Sequence, residues 1–275
     1  MKAVYSILLV FCFVLLFRTK SAAQEYYQIS TRSKSMAGIS ACLSDAWSVF
    51  GNQAGLAGMI KPALGISYSN FFMLSDLSLN SAFAAIPVDK NVFAVSFYRY
   101  GYEAYNENKL GFAFSKALTP RFSAGFQFNY FFIHLPENKK SPGDLCFEGG
   151  LRYVFSDKLV FGVHCFNPFQ AGIKTTSVKY KIPCLFRFGA GTCITDGLWL
   201  YCGFEKDLEH DFQSKFGIEY NILNKFQVRG GVAGNDNLVA FGFAYLAKHV
   251  TTDFSWQYTY RLGSTPSVAI SYRFK

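Results

Sequence analysis

Glu205 and His164 are the first residues to question, because a carboxylate beside an imidazole can hold and orient a general base. A period-two reading puts both on the same face of nearby strands. A hydrolase would add a serine, threonine or cysteine nucleophile to such a pair, and no residue stands out in that role. The other histidines, His134, His210 and His249, are scattered. Six of the seven cysteines lie beyond residue 40: Cys42, Cys146, Cys165, Cys184, Cys193 and Cys202. They form no CxxC and no Cys/His spacing that would hold a metal. Five fall inside expected strands and none faces another across an expected hairpin, so they read as free, small apolar side chains rather than disulfides. No nucleophile elbow, zinc-protease helix, phosphate loop or dinucleotide fingerprint is present. No catalytic residue, metal or cofactor is assigned, and the chain reads as a non-enzyme.

The polar residues share a pattern instead. Gln127, Asn129, Glu148, Arg152, His164, Arg187, Glu205, Lys215, Glu219, Arg229, Asp253, Gln257, Arg261 and Arg273 fall on one face of a period-two repeat. Glycines such as Gly125, Gly162, Gly189, Gly203 and Gly242 are interspersed among them. The opposite face carries Phe93, Phe97, Phe112, Phe128, Tyr153, Phe216, Phe241, Phe243, Phe254 and Tyr272. Alternation of this kind is the signature of β-strands, whose side chains point to opposite faces in turn. Burying so many ions in a dry sandwich core would cost several kcal/mol each. A membrane barrel removes the conflict: lipid meets the aromatic face and a wet lumen takes the charges. Glu148, Arg152, Arg187, Lys215, Glu219 and Arg229 are therefore expected to line the lumen.

The elements that would position them are strands over 63–72, 77–86, 91–100, 108–118, 122–134, 144–155, 159–166, 183–194, 198–206, 212–222, 225–233, 237–246, 250–260 and 266–275. Tight connectors (87–90, 119–121, 156–158, 195–197, 223–224, 247–249) alternate with mostly longer ones (101–107, 136–143, 167–182, 206–211, 262–266). Transmembrane barrels sort their loops this way, with short periplasmic turns and longer external loops. The expected fold is all-β, a transmembrane antiparallel up-and-down barrel of about 14 strands over 62–275. Both termini are expected on the periplasmic side.

Composition agrees. Aromatic residues make up 19% of the chain and charged residues 16%, against about 25% charged in ordinary globular domains. Residues 1–23 pair a basic start at Lys2 with an apolar run and the small residues Ser21-Ala22-Ala23. This is the pattern of a secretory signal peptide, so the chain is expected to leave the cytoplasm. Without Lys2, Arg18 and Lys20 the formal charge falls from +9 to +6. That excess suits anionic lipid, and no basic cluster suits nucleic acid. The expected location is the outer membrane of a Gram-negative bacterium, with outer-membrane lipid as partner.

Residues 24–61 do not alternate. The stretch TRSKSMAGISACLSDAWSVFGNQAGLAGM (31–59) is rich in glycine and small residues, yet holds Trp47, Val49, Phe50, Leu56 and Met59, too apolar for a free tail. Gly38, Ala41, Asp45, Ala46 and the run Asn52-Gln53-Ala54-Gly55-Leu56 resemble the N-terminal region of FadL-type barrels, which transport hydrophobic compounds. They equally resemble the related PorV/PorQ barrels associated with type IX protein secretion. Gln53 stands where those families have proline. The resemblance implies fourteen strands and a hatch, 24–61, tucked into the lumen. Phe274, one residue from the end, resembles the terminal aromatic read by the barrel-assembly machinery. Because the lumen face is largely polar, a PorV/PorQ-like structural or secretion-associated scaffold, with secretion-system proteins as partners, is the first expectation. A FadL-like passive transporter of a hydrophobic ligand is the alternative.

Overall fold

The computed structural model describes residues 27–136, 141–174, 179–209, 211–234 and 237–275. The expected signal peptide, 1–23, and His210 lie outside the described residues. The strands are β1 (Ala63–Asn70), β2 (Ser78–Val88), β3 (Asn91–Gly101), β4 (Asn106–Ala117), β5 (Phe122–His134), β6 (Gly143–Ser156), β7 (Leu159–Phe166), β8 (Gly172–Lys174), β9 (Lys179–Lys181), β10 (Leu185–Thr195), β11 (Leu198–Asp207), β12 (Gln213–Ile222), β13 (Phe226–Ala233), β14 (Leu238–Leu246), β15 (Val250–Thr259) and β16 (Gly263–Arg273). All but β8 and β9 close into one antiparallel barrel of 14 strands. Closure is made by β1, where Ile66 lies opposite both Ala82 of β2 and Ile270 of β16. Each barrel strand is paired on both sides, so no open sheet edge is left, as a membrane requires.

The alternation has a direct structural cause. In β4, Lys109, Gly111, Ala113 and Ser115 turn into the lumen and are buried, while Leu110 and Phe112 turn out and are more than half exposed. Around the outside, aromatic rings meet across strand pairs, such as Phe93 with Phe114 at 5.3 Å and Phe243 with Phe254 at 5.2 Å. This apolar belt runs round the barrel and far exceeds the roughly 300–600 Å² patch that a soluble monomer exposes. Its solvent is lipid, and the strands are the membrane-crossing elements.

Three details depart from the sequence expectations. The connector read as 167–182 carries a small separate hairpin, β8–β9. Asn167 organises its base: Nδ2 donates to Ala171 O at 3.1 Å and Ile182 O at 2.7 Å, and Oδ1 accepts from Ala171 N at 2.8 Å. The loop read as 101–107 shrinks to a turn over 102–105. Gly101 supplies the positive φ of 107°, and Tyr102 N donates to Tyr105 O at 2.8 Å. Arg261 and Arg273 do not line the lumen. The first sits in an exposed turn after β15, and the second ends β16, exposed at the short-turn rim opposite Ala63.

The segment before β1 threads the lumen. It begins at Tyr27, which packs on Phe71, Tyr98 and Tyr100 near the long-loop rim. It then forms the one-turn helix α1 (Thr31–Lys34) and two 3-10 turns, Ala46–Phe50 and Gln53–Gly58. It leaves at the short-turn rim, where Phe274 N donates to Pro62 O at 3.0 Å. The two ends of the barrel therefore share the short-turn rim as expected, but the described chain starts at the opposite one.

Wall glycines make room for this thread. A Cβ on Gly231 would stand 2.5 Å from Met36 C, and one on Gly125 2.5 Å from Gln53 C. Both obstacles are backbone atoms, which cannot rotate away as a side chain would.

Candidate functional site

The site is built where the thread meets the wall. The run Asn52–Leu56 is its anchor. Asn52 Oδ1 accepts from Ala54 N at 3.1 Å and caps the second 3-10 turn. Asn52 Nδ2 reaches Ala41 O at 2.6 Å within the thread and Leu151 O at 3.0 Å and Val163 O at 3.2 Å in β6 and β7. Gln53 Nε2 donates to Val49 O at 3.3 Å, and Ala54 O accepts from Ser123 Oγ at 2.9 Å. Gly55 stands against Ser48 Oγ, and Leu56 is fully buried in the apolar core with Trp47, Val49 and Phe50. The motif thus satisfies its own turn and docks on three neighbouring strands, β5, β6 and β7, at once, as a buried polar segment must.

The charged wall residues fall into three groups. In the first, Arg32 of the thread spans Glu219 and Asp45. Nε and Nη2 donate to the two Glu219 oxygens at 2.8 and 2.6 Å, and Nη1 donates to Asp45 Oδ2 at 2.8 Å. Arg229 continues the chain, to Glu219 Oε2 at 2.7 Å and Asp253 Oδ1 at 2.6 Å. Burial works against the Arg32 charge, but Glu219 and Asp45 outweigh it and hold the guanidinium ionised. In the second group, Glu205 accepts from Arg187 at 2.5 Å and pairs with Lys215 at 3.3 Å. The third centres on Glu148, which meets Lys109 at 3.3 Å, Gln127 at 3.0 Å, Asn129 at 2.8 Å and His164 at 3.1 Å. Arg152 stands apart and donates to the Cys42 carbonyl at 3.0 Å. Of the six wall residues singled out from the sequence, Arg152 and Glu219 hold the thread directly. Among the described residues, Glu148, Arg187, Lys215 and Arg229 bind other wall residues.

Glu205 and His164 do not meet. In register, Arg187 of β10 lies between His164 of β7 and Glu205 of β11 and takes the Glu205 carboxylate for itself. His164 turns to Glu148 on its other side, and its Nδ1 is buried without a partner. Glu205 and His164 are thus each held by other wall residues.

Two buried cations were not singled out from the sequence. Lys109 lies among four rings, with Tyr98 at 5.6 Å and Phe50, Phe131 and Phe166 each at 5.9 Å. It shares the lumen parity of Gly111 two residues on, which is the signal that could have found it. Lys34 donates to Ser69 Oγ at 2.6 Å and Ser267 Oγ at 3.2 Å and lies 5.0 Å from the Phe71 ring. Its segment has no period, so no local pattern marked it.

At the long-loop end is a cavity of 320 Å³. Tyr27, Tyr98, Tyr100, Glu107, Asn108, Phe131, Phe132, Ile133, Ile173, Tyr180 and Ile182 are among its lining residues. Tyr27 stacks on Tyr100 with ring centroids 3.9 Å apart, and Tyr105 Oη donates to Glu107 Oε1 at 2.7 Å. Burial first, and then the Glu107 charge among other groups, pushes the Tyr27 and Tyr105 hydroxyls up, so both stay protonated donors. A second, larger groove of 770 Å³ runs over the outer wall across β4–β7 and β10–β12. Phe126, Phe147, Val163 and Phe186 are among its sides, and Gly149 and Gly150 open its floor. The pairing from Phe126 through Gly149 and Cys165 to Phe186 is unbroken there, and Asn52 fills the space behind Gly150. The groove is a dent in the lipid face, not a hole through it.

No protein-family model and no curated protein matches the chain. Solved structures do. The monoaromatic hydrocarbon channel CymD superposes with a TM-score of 0.69 at 12% identity, over 92% of this chain and 99% of that one. The toluene transporter TbuX of Ralstonia pickettii gives 0.68 at 12% identity, over 88% and 97%. A FadL homologue from Pseudomonas aeruginosa gives 0.68 at 12% identity, over 92% and 100%. At these identities the likeness shows the fold: a FadL-like, 14-stranded outer-membrane barrel.

Proposed function

We propose that the protein is an outer-membrane channel of a Gram-negative bacterium for small hydrophobic or amphipathic molecules, with its lumen held shut by the N-terminal hatch. The observation that carries this reading is the aromatic cavity at the long-loop end, lined by Tyr27 of the thread and by Tyr98, Tyr100 and Phe131 of the wall. It is a concave, mostly apolar site with a few polar groups, which is how small-molecule sites are built. The barrel also has the fold of proteins described as hydrocarbon channels and toluene transporters. This favours transport over the scaffold expected first from the polar lumen. The test is uptake of radiolabelled propylbenzene and of radiolabelled 4-propylphenol by Gram-negative cells carrying the intact gene or an empty vector. Faster uptake of either with the gene supports the reading. Equal rates for both overturn it.

One observation favours the PorV/PorQ-like scaffold as a second reading: the middle of the lumen is filled by three groups of buried, mutually paired polar residues. A scaffold would need no path through them. It predicts a stoichiometric protein partner on purification from native outer membranes, and no ligand-dependent change in the hatch.

A further inference from the structure

Glu107 is an uncommon residue for a hydrocarbon site. It stands early in β4, directly opposite Tyr100 in the register, and faces the 320 Å³ cavity. Among the described residues it takes one hydrogen bond, from Tyr105 Oη, and has no ion-pair partner. Two described cations near it are paired with other carboxylates. Lys181, which lines the same cavity, is 2.5 Å from Glu209, and Lys109 beneath it is 3.3 Å from Glu148. An ionised carboxylate only accepts hydrogen bonds and has room for several. The cavity therefore presents an acceptor and a negative charge beside aromatic faces.

We infer that this cavity selects small aromatic molecules whose head group donates a hydrogen bond, a phenol or a protonated amine, over hydrocarbons and carboxylates of the same size. The inference rests on the channel reading and gives it a substrate class. A flat ring fits among Tyr27, Tyr98, Tyr100 and Phe131, and offset or edge contacts between rings reward that placement. The volume lies at the lower end of the roughly 300–1,000 Å³ range of small-molecule pockets, so one ring with a short tail fits and a long acyl chain does not. A donor head reaching Glu107 replaces the water that its carboxylate loses. A bare hydrocarbon desolvates Glu107 with no return, and a carboxylate adds like-charge repulsion. The protein already seats two of its own ammonium groups beside rings, Lys34 at 5.0 Å from Phe71 and Lys109 at 5.6 Å from Tyr98. An amine ligand would repeat that arrangement with Glu107 as counter-ion.

Calorimetry on the purified full chain in detergent, near neutral pH, tests this with four probes of similar size: 4-propylphenol, 3-phenylpropylamine, propylbenzene and 4-phenylbutyrate. The phenol and the amine should bind about tenfold more tightly than propylbenzene, as one charge-assisted hydrogen bond would give, and phenylbutyrate should bind weakest. In Glu107→Gln the phenol should still bind, the amine should lose its advantage, and phenylbutyrate should gain. The ranking on the native chain needs no variant, so a misfolded variant cannot obscure it. If propylbenzene binds as tightly as the phenol and the amine, the inference is overturned and the channel reading stands. If none of the four binds, the channel reading falls and the inference falls with it.

Discussion

The Arg32 guanidinium and the Glu219 carboxylate meet side by side, Nε to Oε2 at 2.8 Å and Nη2 to Oε1 at 2.6 Å, across 187 residues of chain. Two parallel bonds of this kind fix orientation as well as distance. They tie a segment with no strand period to the wall of the barrel at a set height.

Arg32→Ala should therefore loosen the thread more than the barrel. Breaking one partner out of a buried ion pair costs about 3–5 kcal/mol, and the lower end is expected because Arg229 still serves Glu219. The barrel itself should assemble as before, judged by heat-dependent gel mobility. Planar-bilayer recordings should show larger or more frequent conductance steps than the native chain. Identical traces would mean that this ion pair does not hold the plug.

The wall glycines give a second handle that removes no polar contact. A side chain at Gly162 would run into the Ala41 carbonyl and Cys42, both in the backbone of the thread. Gly162→Val suits a strand by propensity, so the barrel should fold while the thread is displaced. Conductance should rise as in Arg32→Ala. Loss of the folded gel band, with no pore formed, would show that the thread is needed for assembly rather than for closure.

Cys42 reports on the same docking. Burial pushes its thiol up to about 12, against the opposing pull of Arg152. The thiolate is the reactive form, and raising the pKa above neutral empties it. With Cys42 kept as the only cysteine, a maleimide near neutral pH should label the native chain very slowly and label Arg32→Ala quickly. Fast labelling of the native chain would place Cys42 in water and mean that the thread does not pack against the wall there.

The outer face predicts a sharp asymmetry between lipid and lumen. Phe243 is more than half exposed on the belt and packs against the Phe254 ring, tilted by 31°. Phe243→Arg should cost about 2–4 kcal/mol if the site lies near the bilayer midplane. Phe243→Leu keeps an apolar side chain and should cost under about 1.5 kcal/mol. Unfolding titrations in lipid bilayers separate the two. A charge tolerated at this position would mean that the belt does not face lipid.

The fourteen barrel strands and the side that most of their residues face were legible in the sequence, though not the β8–β9 hairpin or the places of Arg261 and Arg273. The reason is local: successive Cβ atoms in a strand point to opposite faces, so the pattern Phe241-Gly242-Phe243 states its own sidedness without reference to any other part of the chain. The parity of Lys109 was available in the same way. The sealing of residues 31–59 inside the barrel was suggested only by their apolar content and by the resemblance of Asn52–Leu56 to known hatches.

What the tertiary structure alone decided is who meets whom. His164 and Glu205 have the right parity to pair, yet β10 passes between their strands and sets Arg187 between them. Glu148 finds Lys109 across 39 residues and Arg32 finds Glu219 across 187. These partners depend on the register with which fourteen strands close and on the height at which the thread crosses. No local period carries that information, because it is fixed by the sum of all the strand pairings around the ring. The cavity at Glu107 has the same origin: β3, β4 and β5, the β8–β9 hairpin and Tyr27 of the thread come from five parts of the chain, and only barrel closure brings their rings to one place.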